Sequence, residues 1–290
     1  TMGARPIAIM DFLRFGTDEY NDSLIGETIR GISDYGNCFG VANIGGDFYR
    51  NKIYNKNPLL NVACLGIVKK ENIIYGNALN LGSHLIYVGS KTGNEGINGA
   101  LMSSKQFKDM DFDELKKNIQ VGDPFLERLL LEACNEISKK KIVEGMQDMG
   151  AGGVLCASVE VIKRGIEKTG NLFGCRIDVD KIPVKYEMDD CDKLISESQE
   201  RMLIVARPEN TSKICEIFKK WDLEYSVIGY VTDTNNYSVY KNNIKIFEQG
   251  IDDFSAPDQH WDTTKLYNEY EKNMGIDIDT KIKNTKYWEE

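Results

Sequence analysis

At 290 residues, with 41% hydrophobic and 28% charged side chains, the chain is long enough for two domains and has the balance of an ordinary globular protein. A formal net charge of −9 argues against a general nucleic-acid or anionic-membrane surface, although backbone amides and a metal can still bind phosphate locally. Seven scattered cysteines without a C-x-x-C pair, and only His84 and His260, fit reduced thiols in a cytoplasm and argue against a disulfide framework or a zinc site.

In chain order, residues 5–15 read as a strand entering a loop. Leu24, Ile25, Ile29 and Ile32 mark one face of a helix expected to end near Tyr35-Gly36. Cys38, with no histidine nearby in sequence, reads as a partly buried small residue rather than a nucleophile. Gly45-Gly46 and Asn57-Pro58 punctuate two further strand segments, the second over residues 60–68. Strands mixed with helices predict a layered α/β domain over residues 1–82.

A second domain, of α+β type, is expected over residues 83–255, opening on the strand Leu85-Ile86-Tyr87-Val88. The glycine-rich loop from Gly89 to Gly99 follows; it reads either as a phosphate cradle with Lys91 as counter-charge or as a surface loop. Asp123 should cap the next helix, with Pro124 in its first turn. Leu126, Leu129, Leu130, Ala133, Cys134 and Ile137 lie at helical spacing, and Lys139-Lys140-Lys141 suit the helix's negative end. Lys141-Ile142-Val143 reads as the start of a short strand, and residues 154–165 as a helix. After Glu200 the pattern is β-α-β-β, with strands at 202–206, 226–232 and 238–240, a helix at 208–221 and a closing segment at 244–247. Residues 256–290, with His260, read as a polar linker. No apolar run approaches the roughly 20 residues of a membrane span.

The densest chemistry lies in Met146-Gln147-Asp148-Met149-Gly150-Ala151-Gly152-Gly153. A strand ending in Asp-x-Gly-x-Gly-Gly before a helix aims backbone N–H groups and the positive helix end at whatever lies above the turn. Asp148 would repel a bare phosphate, so a functional turn needs a divalent cation between acid and anion. The alternative is an ordinary tight turn with a solvated aspartate. Two further runs stand out: Ile119-Gln120-Val121-Gly122-Asp123-Pro124-Phe125, and Ser196-Glu197-Ser198-Gln199-Glu200-Arg201 before an apolar strand. On spacing alone the second is a strand-entry turn with solvated polar groups, and an ion pair is one reading of Glu200 and Arg201.

Together these runs resemble the large synthetase subunit of phosphoribosylformylglycinamidine synthase, from purine biosynthesis. The resemblance is nearly end to end, including Gly3-Ala4-Arg5-Pro6, Leu13-Arg14-Phe15-Gly16, Tyr35-Gly36-Asn37-Cys38, Gly45-Gly46-Asp47, Ile86-Tyr87-Val88-Gly89 and Lys91-Thr92-Gly93. It implies a two-domain half of an aminoimidazole-ribonucleotide-synthetase-like, ATP-binding superfamily fold. It also implies an ATP-dependent carbon–nitrogen ligase in the cytoplasm. There the amide oxygen of formylglycinamide ribonucleotide is activated by the ATP γ-phosphoryl group, and ammonia from a glutaminase subunit displaces phosphate. A small accessory subunit completes the expected complex.

Carried over residue by residue, the resemblance makes Asp148 a Mg²⁺ ligand, Gln120 a substrate contact, and Glu197, Ser198 and Gln199 a second substrate-binding edge. The implied cofactors are Mg²⁺ and ATP. Arg14 and Asp47 fall in family-like runs without a role to transfer. The family's catalytic histidine has no counterpart in these residues. Thr1 resembles the interior of the family's first domain, so the expectation is an internal fragment, inactive alone, whose residues 256–290 lead toward a second half. The alternatives are a related synthetase, for aminoimidazole ribonucleotide or selenophosphate, and a non-catalytic scaffold half.

Overall fold

Strand β1 (Arg5–Phe15) buries Ala8, Leu13 and Phe15 and anchors the first sheet. It pairs in parallel with β2 (Ala42–Arg50) and antiparallel with β3 (Leu59–Ile67), giving the order β2-β1-β3. Between β1 and β2 runs α1 (Glu19–Phe39), whose N-cap Asp18 accepts from the Asn21 N–H at 3.1 Å. The helix continues past the expected stop at Tyr35-Gly36 and ends at Gly40 in left-handed backbone. Gly36 is buried in the last turn, and its carbonyl accepts from the Val41 N–H at 3.0 Å as the helix closes. β2 and β3 stay exposed along nearly their whole length, with Ile44, Phe48, Leu60 and Leu65 on the surface. The computed structural model describes residues 1–97 and 120–254.

The second sheet has seven strands in the order β10-β9-β6-β8-β4-β7-β5. In chain order its parts are β4 (His84–Gly89), α2 (Pro124–Lys140), β5 (Gly145–Asp148), α3 (Gly153–Thr169) and β6 (Gly174–Asp178). Then come α4 (Asp190–Ile195), β7 (Arg201–Ala206), α5 (Pro208–Lys220), β8 (Tyr225–Thr232), β9 (Asn236–Lys241) and β10 (Ile244–Gly250). Every pairing is antiparallel except β6 with β9.

The central strands are covered on both faces, which is why β7 reads as an unbroken apolar run. Ile86, Val88, Met202 and Ile204 pack with Leu130 and Ile137 of α2 and with Ile214 and Phe218 of α5. The alternate residues Leu85, Tyr87, Leu203 and Val205 are also fully buried, on the face where α3 contacts β5, β6 and β7. Glu144, just before β5, ties down the segment joining the two sheets. Its carboxylate accepts from the Leu79 N–H at 3.1 Å, Asn80 Nδ2 at 2.7 Å and Ser83 Oγ at 2.9 Å.

Asp123 caps α2 as its sequence predicts, accepting from the Leu126 N–H at 3.0 Å, with Pro124 in the first turn. The strand expected from Lys141 begins instead at Gly145, because Lys141 closes α2 in left-handed backbone with φ 53°. β6 and α4 were not anticipated: β6 is five residues long and carries Arg176 and Asp178, which pair with each other at 2.7 Å.

The described residues from Thr1 to Asp253 cluster as one compact unit. The expected linker over residues 256–290, with His260, and the loop end Asn98-Gly99 lie outside the described residues. Among the described residues, no helix is long and apolar enough to cross a membrane. Truncating Phe218, which is 0% exposed in the main core, should cost about 3–5 kcal/mol. Urea denaturation of Phe218→Ala should show the lowered midpoint with an unchanged slope.

Candidate functional site

The turn after β5 is built as its sequence suggests. Asp148 ends the strand exposed to solvent, and α3 starts five residues later at Gly153, with Gly152 and Gly153 both at positive φ. A methyl on Gly153 would lie 2.2 Å from the Ser196 carbonyl oxygen, so this glycine lets the turn press against the Ser196–Arg201 segment. The Asp148 carboxylate is oriented from behind: Glu160 Oε2 accepts from Arg164 Nη2 at 2.9 Å, Arg164 Nη1 donates to Gln147 Oε1 at 2.6 Å, and Gln147 Nε2 donates to Asp148 Oδ1 at 3.0 Å. Among the described residues, no group of three His, Cys, Asp or Glu side chains is arranged to hold a metal. A lone exposed carboxylate suits Mg²⁺ when ligand phosphates and water complete the shell, because this ion retains several waters.

Three of the four expected substrate residues meet in one hydrogen-bonded triad. Gln120 Nε2 donates to Glu197 Oε2 at 2.9 Å, and Gln199 Nε2 donates both to Gln120 Oε1 at 2.8 Å and to the Glu197 carbonyl at 2.9 Å. Glu197 Oε1 in turn accepts from the Gly152 N–H at 3.3 Å. The α3 N-terminus therefore already faces a carboxylate, which its dipole favours. Glu197 is 5% exposed and links the Asp148 turn to Gln120.

Ser198 faces the other way. It is 2% exposed, and its Oγ donates to Glu95 Oε2 at 2.5 Å and accepts from the Gly93 N–H at 3.0 Å. The described part of the glycine-rich loop is thus neither a detached surface loop nor a cradle around Lys91. Lys91 pairs at the surface with Glu224 at 3.7 Å. Gly96 permits the closest approach: with φ 70°, a methyl there would lie 2.6 Å from Glu197 Cβ and 3.1 Å from Gln120 Nε2. Glu200 and Arg201 form no ion pair with each other, because they face apart. Arg201 is 3% exposed and donates to Ser198 O at 2.6 Å, to Thr92 Oγ1 at 2.9 Å and to Ser196 O.

Of the remaining candidates, Arg14 and Asp47 pair at 2.6 Å between β1 and β2. Cys38 is exposed rather than partly buried, being on the outer side of α1's last turn. His84 Nδ1 bonds Thr211 Oγ1 at 2.9 Å.

Asp148 and Gln199 open onto a cleft of about 600 Å³ whose walls include Ile9, Ile32, Phe39 and Val62 from the first sheet and its helix. Across it the Tyr35 hydroxyl donates to Glu200 Oε1, and Glu127 lies on the same wall. Sequence reasoning gave neither Tyr35, although it lies in a family-like run, nor Glu127 a role in the site. Tyr35 looked like part of a helix end, and Glu127 like an ordinary polar position in the first turn of α2. Burial, and then the charge on Glu200, pushes the Glu127 carboxyl up to about 7. An unfolded glutamate ionises near about 4.3. Its favourable contribution is therefore complete below about 4.3 and is lost as the pH rises through about 7. Glu127→Gln should add on the order of 2 kcal/mol of stability near pH 8 and little near pH 4, read by thermal melts at both.

Comparison with known proteins places this geometry. Residues 1–68 match the model for the AIR synthase related protein N-terminal domain, and residues 81–242 the C-terminal domain. The phosphoribosylformylglycinamidine synthase subunit PurL of Nitratiruptor sp. is 42% identical over all of this chain and 40% of that protein. The chain thus spans about two fifths of that relative's length. Thermotoga maritima PurL complexed with FGAR superposes with a TM-score of 0.78 at 37% identity, covering 87% of this chain and 40% of that one. The same protein complexed with ATP gives 0.73 at 35% identity, covering 87% and 38%. The chain belongs to the AIR synthase related protein family and carries both its N-terminal and its C-terminal domain.

Proposed function

We propose that this chain supplies the ribonucleotide side of an ATP-dependent carbon–nitrogen ligase. That ligase converts formylglycinamide ribonucleotide and glutamine-derived ammonia to formylglycinamidine ribonucleotide in purine biosynthesis. The observation that carries the reading is the triad of Gln120, Glu197 and Gln199, joined across 77 and 79 residues of sequence beside the exposed Asp148 turn. The likeness to PurL proteins solved with FGAR and with ATP supports it.

Glu197 accepts from Gln120 Nε2 and from the Gly152 N–H and acts here by orienting Gln120. Gln199 uses its amide nitrogen twice within the site, and among the described residues its carbonyl oxygen is the part left for a donor on the ligand. Ser198 holds the glycine loop behind the triad. Asp148 would hold Mg²⁺ jointly with ligand phosphates, and that ion, when bound, neutralises charge on the transferring phosphoryl oxygens. The orienting bond from Gln147 fixes which carboxylate oxygen remains open. A glutaminase subunit, a small accessory subunit and a cytoplasmic location belong to the same reading.

Calorimetric titration with formylglycinamide ribonucleotide and Mg²⁺ tests it: saturable one-to-one binding is expected, and a folded chain that binds none counts against it. Gln120→Leu strips partners from both Glu197 and Gln199 and should weaken that binding about tenfold or more. Asp148→Asn should leave the fold intact but abolish Mn²⁺ binding, followed by electron paramagnetic resonance with Mn²⁺ standing in for Mg²⁺.

A further inference from the structure

Two stretches of chain bring the triad together: the one at Gln120 and the turn from Ser196 to Glu200. Both abut one side chain that belongs to neither, Tyr35 in α1. Its hydroxyl donates to Glu200 Oε1, and the Asp123 N–H faces the same carboxylate. On the other arm, a methyl at Gly122 would lie 2.7 Å from the Tyr35 hydroxyl oxygen and 2.9 Å from its ring carbon Cε2. The backbone two residues beyond Gln120 therefore runs flush against the ring.

The contact on Glu200 matters because of that residue's backbone. Glu200 has φ 56°, a left-handed conformation that a residue with a side chain adopts only when its surroundings hold it there. Its carbonyl accepts from the Ser90 N–H at 2.9 Å, and Tyr35 takes the side chain. This reversal is what leaves Gln199 on the cleft while Arg201 turns into the interior.

We propose that Tyr35 is the positioning residue of the ribonucleotide edge: it clamps the Gln120 arm against the Glu197–Gln199 arm, so the triad assembles only with α1 docked. The recognition role of the triad rests on the function proposed above; the clamp itself rests on the contacts of Tyr35. A tyrosine that merely added stability would change the melting temperature when altered and leave the two glutamine amides in place.

The test reads those amides directly. In ¹⁵N-labelled protein, the side-chain NH₂ pairs of Gln120 and Gln199 should resonate away from the position of solvent-exposed glutamines. In Tyr35→Phe both pairs should move toward that position while the backbone signals of β4 and β7 stay unchanged. Gly122→Ala, which drives a methyl into the same contact from the opposite arm, should move the same two pairs. Folded Tyr35→Phe with both pairs unmoved overturns the proposal.

Titration with formylglycinamide ribonucleotide and Mg²⁺ then separates clamp from ligand. About fivefold weaker binding by Tyr35→Phe than by the unaltered chain is expected, and equal affinity overturns the proposal. If the unaltered chain does not bind while the amide pairs still shift in Tyr35→Phe, the clamp stands and the ribonucleotide assignment falls.

Discussion

Arg201 closes the turn on which the candidate site is built. A guanidinium that is 3% exposed must have its donors answered by the protein, because an unanswered buried cation costs several kcal/mol. Here the carbonyls of Ser196 and Ser198 and the hydroxyl of Thr92 answer it. Binding carbonyls three and five residues back on one planar group leaves the intervening chain little choice but to curl. The curl turns Ser198 inward to the glycine-rich loop and leaves Gln199 on the cleft. Thr92 belongs to that loop, so the same cation draws loop and turn together. The close approaches at Gly96 and Gly153 are the steric counterpart of this gathering.

Much of the fold was legible because its strongest signals are local. The Asp123 cap with Pro124, the apolar spacing of α2 and the unbroken run of β7 each express a physical rule within a few residues. The features that escaped depend on partners distant in sequence. β6 survives with Arg176 and Asp178 in it because they pair with each other and because β8 and β9 flank it. Gly36 looks like a stop signal, yet the helix runs three residues further, to the left-handed cap at Gly40.

The site divides in the same way. Spacing alone left Glu197, Ser198 and Gln199 as a polar strand-entry turn, and family resemblance selected them. Neither distinguished Ser198, which faces the loop, from its neighbours, which join Gln120. That distinction follows from the curl imposed by Arg201 rather than from residue type. Tyr35 left no local signature, because what marks it is contact with residues some 87 and 165 positions away.

Charge presents the remaining constraint. On the function proposed above, a phosphate-bearing ligand would approach a region that already carries Asp148, Glu197 and Glu200 in a chain of net charge −9. Several features soften that field. Glu197 faces the N-terminus of α3 and a side-chain amide, so its charge is partly answered within the protein. Burial and then the charge on Glu200 push the Glu127 carboxyl up to about 7, which favours its neutral form on the cleft wall. Asp148 is left as the exposed carboxylate at the end of β5, braced by Gln147 and Arg164. With Glu197 answered and Glu127 shifted toward its neutral form, Asp148 is the carboxylate that, on the proposed function, a cation would bridge to phosphate, and that is how an acidic protein would hold an anionic ribonucleotide.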